Sequence, residues 1–362
     1  MRIVFLAPGV FRCICGGRKV ICEYSNYLTK QGHDVTILYP ATDNFKRLNF
    51  KQKCRTLLAF IYYKLTKDYT PHRWFNLDKN IKQKLVWSLK QSNAPEADCY
   101  IATGVNTAPY LNEYNCPSTK KFYFIQAFED FIPGFDEESI MKTFHYDMNR
   151  IVISSWLKKI IESEGLKCTK IPNGFNFNEF KYITDIKTRD KFSVCIYYSE
   201  NGEKGVKYSI ETIEIVKRLY PQLVVNMFGL CPRPSHIPEW YNYYQNPTKE
   251  EHNKIYNSSA IYIASSTVEG WGLTVGEAMM CGCAVVCTST TGFLEMAEDG
   301  KNALVIPTKD PTAGANAVIK FIENDDYRLT IADNAIKSIS QLDLKNSCKL
   351  FETEITKYKE RI

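Results

Sequence analysis

The stretch SSTVEGWGLTVGEAMMCGCAVV, Ser265 to Val286, holds two glutamates, Glu269 and Glu277, with Gly270, Gly272 and Gly276 between them. Residues 260–264 read as a buried strand and 274–280 as a helix, so the carboxylates flank a glycine-rich strand-to-helix turn. In parallel sheets, ligands bind outside the carboxyl ends of the strands. Glycine lets the backbone approach a ligand closely, and the first amides of a helix are unpaired and partly positive, which favours phosphate. Carboxylates accept hydrogen bonds from hydroxyls. A turn built this way suits a diphosphate with a sugar on one side and a ribose on the other. Two plainer readings compete. Thr274-x-x-Glu277 has the spacing of a capping box, and Glu269 before a glycine fits a surface loop. Gly270-x-Gly272-x-x-x-Gly276 misses the G-x-G-x-x-G spacing of a dinucleotide-binding turn.

The elements that would position these residues repeat along the chain. Apolar runs at 2–6, 34–39, 99–102, 121–125 and 150–153 read as buried strands. Stretches near 18–31, 78–91, 105–114, 137–147 and 154–165 read as helices. After residue 190 the alternation restarts. Strands are expected at 192–199, 222–228, 260–264, 283–287 and 303–306, with helices at 206–220, 248–257, 274–280, 312–323 and 326–339. The βαβα order implies doubly wound α/β domains with mostly parallel sheets. A length of 362 residues fits two of them. The Asn-rich, charged segment Ile171–Lys191 reads as the linker between them.

Composition narrows the function classes. No segment approaches the ~18 apolar residues of a membrane-spanning helix. The N-terminus reads as a first strand, Arg2–Leu6, rather than a signal peptide, because Pro8 and Arg12 break the apolar run. The 13 cysteines include no C-x-x-C pair, so they read as reduced thiols of a cytoplasmic protein rather than a zinc site or disulfide framework. Residues 1–172 hold 25 Lys and Arg against 16 Asp and Glu, while the remainder is slightly acidic. The basic half points to an anionic partner. Within it, Phe45–Lys67 has seven basic residues and no acid, interleaved with Leu, Phe, Ile and Tyr. That pattern fits contact with an anionic membrane surface, and it fits equally a helix packed on the domain with a solvated basic face. No nucleic-acid-binding motif accompanies it, so no nucleic acid is expected.

VEGWGLTVGEAMMCGCAVV, Val268–Val286, resembles the E-x7-E signature of retaining glycosyltransferases of family 4, whose usual form is E-G-F-G-L-x-x-x-E-A-M-A-x-G-x-P-V-V. Trp271 stands in place of Phe, and Ala284 in place of Pro. The likeness continues through Ser289–Pro311, where Asn302-Ala303 replaces the last glycine of D-G-x-x-G-x-L-V. It extends to VISSWLKKIIESEG (152–165), IPNGFNFNEF (171–180) and MRIVFLAPGVFRCICGGRKV (1–20).

The resemblance implies a GT-B fold, two Rossmann-like domains facing each other across a cleft. Residues 1–172 would form the acceptor-binding domain and 173–345 the nucleotide-sugar-binding domain. Residues 346–362 would be a helix returning to the first domain. It implies transfer of a sugar from a nucleotide-diphosphate sugar, most often a UDP-sugar, to a glycan or lipid-linked acceptor, with retention. Such chemistry serves cell-surface polysaccharide or glycoconjugate synthesis, with the enzyme cytoplasmic or peripheral on the inner membrane face. Glu277 would hold the ribose, Glu269 would face the donor sugar, and the backbone of Gly270, Trp271, Gly272, Leu273 and Thr274 would contact sugar and diphosphate. The family pattern G-R-x-x-x-x-K-G reads YYSENGEKG here, so Lys204 is kept and Ser199 replaces the arginine. No D-x-D metal motif is present, so no metal or cofactor is expected. The diphosphate charge would fall to Lys204, the amides near Leu273 and Thr274, and the Gly16-Gly17-Arg18 loop. Gln126, where relatives often carry a histidine, would donate to sugar or phosphate oxygens, and Glu129 would meet the acceptor. Asn106 and Thr107 would line the cleft. The same architecture is used by nucleotide-sugar 2-epimerases, and the missing arginine also suits a non-catalytic nucleotide-sugar-binding subunit.

Overall fold

The structure is a computed structural model that describes residues 1–42, 49–129 and 132–358. The expected residues 45–48, 130–131 and 359–362 lie outside the described ones. The chain forms two units, Met1–Asn173 with Lys345–Ile362, and Gly174–Leu344.

Unit 1 holds strands β1 (Arg2–Leu6), β2 (Asp34–Pro40), β3 (Lys82–Val86), β4 (Cys99–Ala102), β5 (Lys121–Ile125), β6 (Asn149–Val152) and β7 (Thr169–Lys170). Its helices are α1 (Gly16–Lys30), α2 (Phe50–Thr66), α3 (Ala108–Asn112), α4 (Glu137–Phe144) and α5 (Ser155–Ser163). The strands pair in the order β3-β2-β1-β4-β5-β6-β7, all parallel. β4 and β5 are buried along their whole length, as strands covered on both faces must be.

Residues 78–91 were expected as a helix, but the segment supplies β3, paired in parallel with β2. Its Lys, Gln and Leu favour helix locally. As an edge strand it stays half exposed, so pairing, not an apolar run, decides its state.

Unit 2 holds β8 (Ser193–Tyr198), β9 (Val224–Gly229), β10 (Tyr241–Gln245), β11 (Ile261–Ala264), β12 (Ala284–Thr288) and β13 (Leu304–Ile306). Its helices are α6 (Val206–Leu219), α7 (Lys249–Asn257), α8 (Leu273–Met280), α9 (Pro311–Glu323) and α10 (Asp325–Ile339). The order β10-β9-β8-β11-β12-β13 is again parallel. β10 is a polar edge strand that the sequence pattern did not mark.

The last helix, α11 (Leu344–Thr356), is anchored in unit 1 through Phe351. Its ring lies 4.8 Å from that of Tyr24 and 5.2 Å from that of Phe124.

α2 is unlike the other long helices: none of its residues is buried. Phe50, Leu57, Leu58, Ile61 and Leu65 are exposed. At 3.6 residues per turn they share one face with Cys54, flanked by Lys51 and Arg55 on one side and Lys53 and Lys64 on the other. The opposite face is half buried, and Phe60 meets Trp87 edge-on at 5.3 Å. Among the described residues, no helix is long and apolar enough to cross a membrane.

Candidate functional site

In unit 2 the strand order reverses between β8 and β11, the topological switch point where parallel sheets open a crevice for ligands. Two turns leave the carboxyl edge there, residues 199–205 after β8 and 265–272 after β11. They lock together through glycine. A Cβ on Gly205, at φ +59°, would lie 1.9 Å from the carbonyl oxygen of Ser265, so no other residue fits. Thr267 N donates to Glu203 O at 2.7 Å, and the Ser209 and Ser265 hydroxyls bond at 2.8 Å.

This locking brings Lys204 and Glu269 together, 65 residues apart in sequence, with Nζ 2.7 Å from Oε2. Ser266 Oγ donates to the same oxygen at 3.3 Å. Oε1 makes no hydrogen bond among the described residues. The Glu269 side chain is 14% exposed and that of Lys204 30%, so the pair is shielded yet reachable. Ser199, in the place of the family's arginine, accepts from Asn201 N at 3.2 Å and shapes the turn.

The helices that start at these two turns share a feature. α6 begins at Gly205 and α8 at Gly272 (φ +94°), and neither has a side-chain cap or an acid in its first turn. α7, α9 and α10 are each capped, by Thr248, Asp310 and Asn324. The uncapped starts keep their partial positive charge for an anion. The capping box that Thr274-x-x-Glu277 offered as a competing reading is absent, because the cap of α8 is Gly272, two residues earlier. Thr274 is already helical. Glu277 is buried on the first turns of α8.

The remaining expected contacts of the turn are placed as follows. Gly272 packs against Phe293, where a Cβ would come within 2.4 Å of the ring. Trp271 is buried, and its Nε1 has no hydrogen-bond partner among the described residues; the same holds for Thr290 Oγ1. Gly292 crowds the Glu269–Trp271 backbone, its Cβ position 2.4 Å from Glu269 O. Sequence reasoning missed Ser266 and Thr290, because hydroxyl residues in a loop carry no pattern of their own.

Gly16, Gly17, Arg18 and Gln126 belong to unit 1. α1 starts at Gly16 without a side-chain cap or a first-turn acid. Arg18 Nη1 donates to Cys13 O at 3.2 Å and its guanidinium lies over the Phe11 ring. Gln126 lies against Gly17, and its Oε1 is buried without a partner among the described residues. Thr107 closes its own turn by accepting from the Thr103 and Gly104 amides, and Asn106 donates to Pro8 O. Among the described residues, no group of three or more His, Cys, Asp or Glu side chains is placed to hold a metal. Among the described residues, no cysteine is in a disulfide.

Residues 179–338 match the family model of glycosyl transferases group 1, and both switch-point turns lie inside the match. This region resembles the glycosyl transferases group 1 family. The chain is 30% identical over 100 residues to D-inositol 3-phosphate glycosyltransferase of Corynebacterium urealyticum, which is 28% of this chain and 24% of that protein. The chain thus matches about a quarter of that relative's length. A longer match runs to phosphatidyl-myo-inositol mannosyltransferase of Mycobacterium leprae, 19% identical over 347 residues, covering 91% of this chain and 89% of the other. Among solved structures, sucrose-phosphate synthase from Thermosynechococcus elongatus superposes with a TM-score of 0.73 at 13% identity, covering all of both chains. HepE of Anabaena, solved in complex with UDP-glucose, gives 0.69 at 14% with the same coverage. At such identities the likeness establishes the fold: two Rossmann-like α/β units of the GT-B type.

Proposed function

We propose that the protein is a glycosyltransferase that moves a sugar from a nucleotide-diphosphate sugar, a UDP-sugar in our reading, to a glycan or lipid-linked acceptor with retention. The observation that carries this reading is the Lys204–Glu269 pair between two uncapped helix starts, within the group 1 family region.

Its chemistry follows from the parts. With no ligand, lysine and glutamate neutralise each other. A bound donor separates their tasks: the diphosphate takes the Lys204 charge and the amides of α8, while Glu269 keeps Ser266 and accepts a sugar hydroxyl. Glu277 accepts from the ribose. The leaving nucleotide diphosphate gains negative charge as the anomeric bond breaks, and fixed cations and amides stabilise it. No metal is required in this reading. Trp271 Nε1 and Thr290 Oγ1 are two further donors for diphosphate oxygens. Within unit 1, Gln126 would donate to a sugar or phosphate oxygen.

The exposed apolar stripe of α2, bordered by lysine and arginine on both sides, supports contact with an anionic lipid surface at the inner face of the cytoplasmic membrane. There the enzyme would extend a lipid-linked glycan.

The test is transfer from UDP-glucose and related donors to a glycolipid extract, with the product anomer read by NMR. Transfer that Glu269→Ala, Glu277→Ala and Lys204→Ala abolish supports the reading. Wild-type rates in all three variants contradict it. Donor turnover without acceptor would mark a 2-epimerase, and donor binding without turnover a non-catalytic subunit.

A further inference from the structure

The chain enters unit 2 at Gly174 and leaves it at Leu344, and these two ends are clasped side by side. Phe175 N donates to Leu342 O at 2.7 Å, and Leu344 N donates to Phe175 O at 3.0 Å. Phe175 and Asp343 form a parallel bridge. Gly174 permits the contact: a Cβ there would lie 2.4 Å from Leu344 Cα and 2.6 Å from Leu344 N. Phe175 itself is buried.

The Phe175 ring ends on α8. A Cβ on Gly276 would lie 2.0 Å from the ring tip, Cζ, and 2.3 and 2.7 Å from Cε1 and Cε2. The ring therefore rests on the helix backbone, and a larger residue at 276 would displace it. Glycine inside a helix weakens it, and Gly276 has no positive φ that would call for glycine. The close approach of Phe175 is what this position requires. The next residue is Glu277.

α8 needs support from outside. It has no side-chain cap. Its first two backbone bonds, from Val275 N and Gly276 N, share the Gly272 carbonyl at 3.1 and 3.3 Å, longer than the common value. A helix start that keeps its amides open for an anion is not fixed by a cap, so packing must fix it. Phe293 backs the start at Gly272, and Phe175 backs Gly276 one turn further on.

We propose that Phe175 is a positioning residue for the unit 2 crevice: seated on Gly276, its ring fixes the first turns of α8, and through them the open amides and Glu277. That the ligand there is a nucleotide sugar rests on the glycosyltransferase reading; that Phe175 fixes the helix start does not. Because the same residue closes the clasp, the coupling runs both ways: a ligand that holds α8 also holds the clasp.

The full chain is tested as wild type, Phe175→Leu, Gly276→Ala and the two changes together, by calorimetric titration of UDP-glucose, amide hydrogen exchange and thermal melting. Phe175→Leu opens a gap over Gly276. It should speed exchange at residues 273–277 and weaken UDP-glucose binding about five-fold, while the protein still melts cooperatively. Gly276→Ala should push the ring away and weaken binding at least as much. The paired variant restores the volume at the contact, so its affinity should return to within about two-fold of wild type. In wild type, UDP-glucose should slow exchange of the Phe175 and Leu344 amides, and in Phe175→Leu it should slow that of Leu344 less. Should Gly276→Ala alone fail to fold, Phe175→Leu and the paired variant still decide. Wild-type affinity together with wild-type exchange at 273–277 in Phe175→Leu overturns the proposal. So does a paired variant that binds no better than Phe175→Leu, because a contact needed only for stability gives no such rescue of affinity. UDP-glucose that binds no form, with faster exchange at 273–277 in Phe175→Leu, removes the glycosyltransferase reading and leaves the positioning role standing.

Discussion

The two units use the same device for opposite chemistry. Each opens a crevice where its parallel strand order reverses, and each starts a helix there without a side-chain cap. In unit 2 the crevice holds a complete ion pair, Lys204 with Glu269. In unit 1 it holds Gln126, whose Oε1 is buried without a partner among the described residues, and Glu129, a carboxyl that burial pushes up to about 7. Charges that satisfy each other can wait for a charged ligand and exchange partners when it arrives. The comparison teaches that one topology can carry two different arrangements of charge, with the side chains in its turns deciding which.

The unit 2 half is broken most directly by Lys204→Ala or Glu269→Ala. Either should lower the transfer rate by about 10²–10³-fold, on the order of 3 kcal/mol of barrier, with thermal stability little changed. Near-wild-type rates would mean that the pair is structural only.

Gly205→Ala should destabilise unit 2 by about 2–4 kcal/mol in denaturant titration, through a positive φ and overpacking together. A variant of normal stability would show that the two turns are not locked as described.

The unit 1 half makes a prediction of opposite sign. The folded pKa of Glu129 is raised from 4.5 to about 7. The associated stability is therefore present below the unfolded value and lost as pH rises through the folded one. Glu129→Gln should stabilise the protein at pH above 7, by at most about 3 kcal/mol, since one pKa unit is worth ~1.4 kcal/mol. Near pH 4 the variant and the wild type should melt alike. A variant less stable than wild type at high pH would show a carboxylate held for structure.

Lys64→Ala should weaken binding to anionic vesicles by about 1 kcal/mol, roughly five-fold, and should leave neutral vesicles unaffected. Equal loss on both would place α2 on a protein partner instead. The smallest effect expected is none: transfer should continue in excess EDTA, and loss that added magnesium or manganese restores would assign the diphosphate charge to a metal.

Much of this frame was legible before any coordinates. Central strands such as β4, β5 and β11 announce themselves as apolar runs because both faces are covered. The edge strands β3 and β10 do not. KQKLV and YNYYQ are half solvated, and only their pairing with β2 and β9 makes them strands. Glu269, Glu277 and Lys204 stood out because glycine, acid and lysine spacing is local. That Lys204 meets Glu269 across 65 positions is a matter of tertiary packing, set by Gly205 against Ser265. Glu129 shows the same limit. Its residue type is visible in FIQAFEDF, whereas its place against the β4 turn, where Gly104 leaves room and the Val105 amide donates, is set by tertiary packing. The helix over 50–66 was legible as basic and apolar. Whether its apolar face was buried or exposed depended on what the rest of unit 1 left uncovered.

The central claim is that the Lys204–Glu269 crevice of unit 2 receives a nucleotide sugar. Calorimetric titration of UDP-glucose into wild type, Lys204→Met, Glu277→Gln and Glu129→Gln tests it most directly. Lys204→Met and Glu277→Gln should each weaken binding at least ten-fold, about 1.4 kcal/mol, while Glu129→Gln binds like wild type. Undiminished affinity in the first two variants would contradict the account.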